Sequence, residues 1–85
     1  MPEQDFRKIV VVGASAGGVE SLMQLARGLP RSFGAPVLVV LHIASDTHSR
    51  LPQILSRSGP LQASLATDGE RLSAGRIYIA PRAIT

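Results

Sequence analysis

Residues 8–30 read KIVVVGASAGGVESLMQLARGLP. Lys8 to Val12 is, after the lysine, a run of β-branched residues that stops at Gly13, and a continuous apolar run of this kind predicts a parallel strand buried on both faces. From Gly18 the pattern changes period: Val19, Leu22, Met23, Ala26 and Leu29 recur at helical spacing, and Gly28 with Pro30 supplies a stop. A second apolar run, Val37 to Leu41, ends at His42 and predicts another buried parallel strand. Strand, helix and strand in this order make a crossover unit.

Further along, a second helix is expected from Ser49 to Ser58. Ser49 would be its N-cap, Pro52 would stand in its first turn, Leu51, Ile54 and Leu55 would face inward, and Gly59-Pro60 would end it. Leu61 to Leu65 alternates, as a half-exposed or edge strand does. Thr67-Asp68-Gly69-Glu70 has turn chemistry, and Arg76 to Ala80 reads as a last short strand before Pro81. The fold class is α/β, a parallel sheet with flanking helices and right-handed crossovers.

With 85 residues, 45% of them hydrophobic, the chain has material for one small domain, below the roughly 100–150 residues usual for this class. Residues 1–7 read as a tail and 8–85 as the folded part. No cysteine is present, so disulfides and thiolate metal sites are excluded, and two histidines make no case for a metal. Neither a signal peptide nor an apolar run long enough to span a bilayer is found, so a soluble, cytoplasmic protein is expected. The net charge of +3 is spread over scattered arginines, and 4% aromatic residues leave little for nucleic-acid stacking, so no nucleic-acid partner is expected.

Gly13-Ala14-Ser15-Ala16-Gly17 matches GxSxG between a strand and a helix, the context of a nucleophile elbow. Small residues, Gly13, Gly17 and Gly18, suit a sharp turn that brings the backbone close to the helix it enters and pushes the serine hydroxyl out. The helix N-terminus leaves N–H groups free, and that of Ala16 is the natural first donor to an oxyanion. The same glycine-rich turn could serve packing alone or cradle a phosphate. Ser15, however, occupies the second glycine position of GxGxxG, and Val19 and Glu20 stand where a phosphate-binding loop carries lysine.

His42 follows the second strand as Ser15 follows the first. If the two strands are parallel neighbours, both residues emerge at the carboxyl edge of the sheet, where α/β folds place their sites and where a base must lie to activate a hydroxyl. A histidine bonded only to backbone is the bland alternative. His48, in a polar stretch, reads as a loop residue. No carboxylate offers itself to orient His42: Asp5 lies in the tail, Asp46 in a loop and Asp68 in a turn. The residues themselves therefore yield a nucleophile and base without a third member and without a substrate.

The stretches Ile9 to Gly18 with Glu20, Val39 to Ile43, Asp68 to Leu72 and Gly75 to Pro81 resemble, in this order, the catalytic domain of the chemotaxis protein-glutamate methylesterases, the CheB family. The resemblance implies hydrolysis of glutamate γ-methyl esters on the cytoplasmic domains of methyl-accepting chemotaxis receptors, together with glutamine deamidation. It implies Ser15 as nucleophile, His42 as base, Ala16 N–H in the oxyanion hole, and no metal or organic cofactor. It also implies that these residues form the first half of a larger doubly wound hydrolase domain whose triad aspartate lies beyond Pro81.

In the family a receiver domain usually precedes the catalytic domain, and none is found in these 85 residues. Arg82-Ala83-Ile84-Thr85 departs from the polar, histidine-containing run common in relatives. Two other function classes remain open from sequence, a nucleotide-binding module and a non-catalytic interaction module. The 85 residues alone are expected to be a poor catalyst and a homo-oligomer, with Val37 to Leu41 and Ile77 to Ile79 contributing to an exposed apolar edge.

Overall fold

The computed structural model describes residues 8–14, 18–41 and 47–80. The elements are β1 (Val10–Ala14), α1 (Val19–Gly28), β2 (Val37–Leu41), α2 (Thr47–Ser58), β3 (Gln62–Leu65) and β4 (Arg76–Ile79). They form a four-stranded sheet in the order β1-β2-β4-β3, with every neighbouring pair parallel. The expected α/β class is therefore the observed one.

Alternation along the strands sorts the sheet into two faces. Val37 and Val39, Ile77 and Ile79, and Ala63 pack with Leu22 and Ala26 of α1 and with Leu51 and Leu55 of α2 in one core. Both helices thus cover the same face. As the chain advances from β1 to β2 and then past β4's place to β3, crossovers of one hand must lie on one side. The step back from β3 to β4 must then cross the opposite face. Tyr78, between Ile77 and Ile79, points to that face, and its hydroxyl accepts a 2.8 Å hydrogen bond from the Ser73 N–H. The connection 66–75 is thereby pinned on the side that consistent handedness requires.

Local chemistry accounts for the turns and helix ends. Leu29 is extended (φ −85°, ψ 125°), as the residue before Pro30 must be, so proline and not a left-handed Gly28 ends α1. Among the described residues only Gly69 and Gly75 have positive φ. Gly69 is the third residue of a turn closed by Glu70 N–H to Thr67 O at 3.0 Å. The Glu70 carboxylate in turn accepts from the Thr67 N–H and hydroxyl.

Gly59 also lacks the left-handed conformation expected of a helix-ending glycine. A Cβ at that position would lie 2.0 Å from the Ala26 carbonyl oxygen, so glycine is required because the end of α2 rests on the backbone of α1.

Three expectations are corrected. β1 is not buried on both faces: Val11 is 59% exposed and no β1 residue is fully buried, because β1 is the last strand of the sheet among the described residues and Val11, in register with Leu38, lies on the face away from the helices. α2 starts at Thr47, so Ser49 is its third residue and not its N-cap. Pro52 consequently falls in the second turn, where it has no N–H to offer the His48 carbonyl. The runs expected to be exposed, Val37 to Leu41 and Ile77 to Ile79, lie on the two central strands, and Val37, Val39, Ile77 and Ile79 are at most 2% exposed. Among the described residues, the large apolar side chains left at the surface are instead Ile9, Val10 and Val11 at the β1 edge, with Leu25 and Leu65.

Candidate active site

β1 and β2 pair in register from Val10 with Val37 through Ala14 with Leu41. The last residues of the two strands are therefore direct partners, on backbones about 4.8 Å apart. Ser15 is the residue after Ala14 and His42 the residue after Leu41. Ser15, Ala16, Gly17 and His42 themselves lie outside the described residues, as do Asp5, Asp46 and 81–85. What the structure shows is that the chain leaves two adjacent parallel strands at one level of one sheet edge, immediately before the two residues singled out from sequence.

The flanks also show how sharp the turn after β1 is. Gly18, the residue before α1, has φ −91° and ψ −2°, and a Cβ on it would come within 2.8 Å of the Ala14 Cβ. The chain thus returns against the end of the strand it left only four residues earlier. Glycine at 18 is what lets the first turn of the helix close on the strand. Gly13 behaves differently. A Cβ there would meet nothing within 4 Å, so close helix packing among the described residues accounts for Gly18 and not for Gly13. Among the described residues no side chain caps the α1 N-terminus at Gly18, and the first N–H groups of a helix have no partner within the helix itself.

β4 reaches the same edge on the other side of β2. Val39 is the register partner of Ile79, and the Ala80 N–H donates to the Val39 carbonyl at 2.9 Å. β3 is one strand further out, with Leu65 opposite Ile79. Asp68, in the turn after β3, therefore belongs to a strand roughly 10 Å from β2, and it is exposed. Glu70 is engaged by Thr67, and Glu20 stands exposed in the first turn of α1. Asp68 and Glu70 thus belong to the connection after β3, and Glu20 to the exposed side of the α1 start. No group of three or more His, Cys, Asp or Glu among the described residues could hold a metal ion, and no described helix is long and apolar enough to cross a membrane.

One contact escaped the sequence reading. Tyr78, on a strand one position from the site edge, fastens the β3–β4 connection through Ser73. The alternation of Arg-Ile-Tyr-Ile-Ala signals that the tyrosine faces away from the helices, but not which backbone group meets it.

A family model described as CheB methylesterase matches residues 10–84. The chain is 45% identical over 73 residues to protein-glutamate methylesterase/protein-glutamine glutaminase 4 of Myxococcus xanthus, covering 86% of this chain and 21% of that protein. It is 40% identical over 74 residues to the protein-glutamate methylesterase/protein-glutamine glutaminase of Thermotoga maritima, covering 87% and 22%. The chain thus spans about a fifth of the length of these relatives. The crystal structure of the Thermotoga maritima CheB methylesterase catalytic domain superposes with a TM-score of 0.81 at 40% identity, over 87% of this chain and 39% of that domain. A GASAGG turn between β1 and α1, a histidine directly after β2 and a family match over nearly the whole folded region lead to one assignment: the chain belongs to the CheB methylesterase family.

Proposed function

We propose that this chain carries the nucleophile and base of a protein-glutamate methylesterase. The observation that bears most weight is the pairing of Ala14 with Leu41 at the ends of two parallel strands, each followed by one of the two reactive residues. Ser15 attacks the ester carbonyl of a γ-methyl glutamate while His42 takes the hydroxyl proton. The oxyanion is held by backbone N–H groups at the start of α1, that of Ala16 first. His42 passes the proton to the departing methanol, and water, deprotonated by the same histidine, hydrolyses the acyl-serine to free glutamate. With a glutamine in place of the ester, the identical sequence releases ammonia. No step calls for a metal or an organic cofactor.

The same reading makes the cytoplasmic domain of a methyl-accepting chemotaxis receptor the macromolecular substrate, and hence the cytoplasm the place of action. It assigns the third triad member to the part of the domain these residues do not cover. Losing the orienting carboxylate lowers turnover in triad enzymes by about 10⁴-fold, so the 85 residues alone are expected to be a poor catalyst. They are also expected to self-associate through the exposed apolar edge of β1. A nucleotide-binding role gains no support from the described residues.

The test is methanol release from a methyl-esterified receptor domain by this chain fused to the remainder of the Thermotoga maritima catalytic domain. Turnover abolished by Ser15→Ala and by His42→Ala supports the reading. Turnover that survives either substitution contradicts it.

A further inference from the structure

Lysine and arginine are scattered along the sequence, and the fold gathers them. All four strands run the same way, so their first residues share one edge of the sheet, opposite the edge at which β1 and β2 end. The helices run back against the strands, and their last turns reach that same amino edge. Lys8 stands there before β1, Arg27 in the last turn of α1, Arg31 in the loop before β2, Arg57 in the last turn of α2 and Arg76 at the start of β4, all with exposed side chains. Arg50 and Arg71 are the only other described cations.

Backbone contacts tie these positions together. A Cβ on Gly59 would lie 3.1 Å from the Arg27 nitrogen, so the ends of the two helices touch. The Gly75 N–H donates to the Ala35 carbonyl at 3.2 Å, and a Cβ on Gly75 would lie 3.5 Å from the Arg31 carbonyl oxygen, which sets Arg76 beside the loop that carries Arg31. At the far end of that loop the Pro36 carbonyl accepts from the Val10 N–H at 3.0 Å, two residues after Lys8.

The described carboxylates lie at the other edge: Glu20 opens α1, and Asp68 and Glu70 follow β3. Strands of five residues separate the two edges by about 16 Å. That is roughly twice the screening length of about 8 Å in physiological salt, so these acids do not neutralise the cations. The helix dipole accounts for positive charge at Arg27 and Arg57. It does not account for Lys8, Arg31 or Arg76, which belong to no helix.

We propose that this amino edge is a docking surface for an acidic polypeptide segment, held on the side of the sheet away from the ends of β1 and β2. Apart from Lys8 the groups are guanidiniums, whose planar fork pairs with a carboxylate through two parallel hydrogen bonds. The patch runs from β1 across β2 to β4, two strand spacings or about 10 Å. It stops before β3, where Pro60, Leu61 and Gln62 carry no charge. A single peptide segment covers that width, whereas a duplex or a membrane would also overlie the uncharged start of β3. No described aromatic ring is exposed, so single-stranded nucleic acid finds nothing to stack on. A segment bound here leaves the opposite edge open to an ester substrate.

Fluorescence anisotropy of a fluorescein-labelled oligoglutamate titrated with the 85-residue chain tests this. Reversing charge on the patch, with Arg31→Glu and Arg76→Glu together, is expected to weaken binding about tenfold. Arg50→Glu with Arg71→Glu alters the net charge equally and is expected to leave binding within about twofold. All four side chains are exposed, and circular dichroism confirms that both variants stay folded. Equal losses in the two variants would reduce the effect to net charge and overturn the proposal. Tighter binding of duplex DNA or phosphatidylserine vesicles, lost in the Arg31 and Arg76 variant, would assign the edge to a different polyanion and also overturn it. Binding seen only after Glu3→Gln and Asp5→Asn would show that the chain's own tail holds the edge, with the same consequence. The peptide carries no ester, so its binding is read independently of the hydrolase reading.

Discussion

Leu51 and Leu55 of α2 and Ile77 and Ile79 of β4 are at most 2% exposed, whereas the four apolar side chains of β1 include none that is fully buried. One side of the molecule holds a finished core between α2 and the strands beside it, and the other holds the strand that leads to Ser15. Under the proposed function, stability and chemistry are concentrated in different elements. Substitutions around α2 are expected to unfold the chain, and substitutions on β1 to change what it binds and does while leaving its stability near that of the parent.

That contrast is broken most strongly at Leu55, which touches the core from α2 at 1% exposure. Leu55→Ala is expected to cost about 3 kcal/mol, because the cavity lies between a helix and a sheet that cannot both close on it. Urea unfolding followed by circular dichroism measures it. Gly59→Ala comes next, at about 2–3 kcal/mol. The added methyl meets the Ala26 carbonyl oxygen at 2.0 Å, a backbone atom that cannot rotate away. The same denaturation curves read this loss, and a neutral result would show that α2 and α1 do not meet there.

Tyr78→Phe sharpens the comparison, since it keeps the buried ring and leaves the Ser73 N–H without its partner. A loss of about 1 kcal/mol is expected, with faster amide exchange confined to the connection between β3 and β4. Smallest of all is Val11→Thr on the open edge, expected to change the unfolding free energy by less than about 0.5 kcal/mol. A larger effect at a concentration where the chain is monomeric would mean that β1 is covered within a single chain.

Much of this division was legible in the residues. The apolar runs marked β1 and β2, the 3.6-residue period marked α1, and the GASAGG turn with a strand-end histidine singled out Ser15 and His42, which follow the ends of two paired strands. What could not be read was which apolar run lies inside. Val10-Val11-Val12 and Val37-Leu38-Val39 are alike as sequence, and only strand order makes the first an edge and the second a centre.

Helix boundaries failed for a similar reason. Ser49 has the chemistry of a cap, but α2 packs well enough through Leu51 and Leu55 to extend back to Thr47, carrying Pro52 inside it. Gly59 signalled a chain end, yet its function is the close approach of two helices, a contact between residues 33 positions apart that no local pattern encodes. The third member of the site was not legible because no carboxylate in the sequence directly follows a strand as Ser15 and His42 do.

Central to the account is that Ser15 and His42 leave adjacent strands as a working pair. The most direct measurement is the rate at which a fluorophosphonate probe labels the chain when it is fused to the remainder of the Thermotoga maritima catalytic domain. Labelling that maps to Ser15, disappears in Ser15→Ala and falls at least a hundredfold in His42→Ala is the predicted result. Labelling that falls on another residue, or that is indifferent to His42, would contradict the pairing from which the mechanism is built.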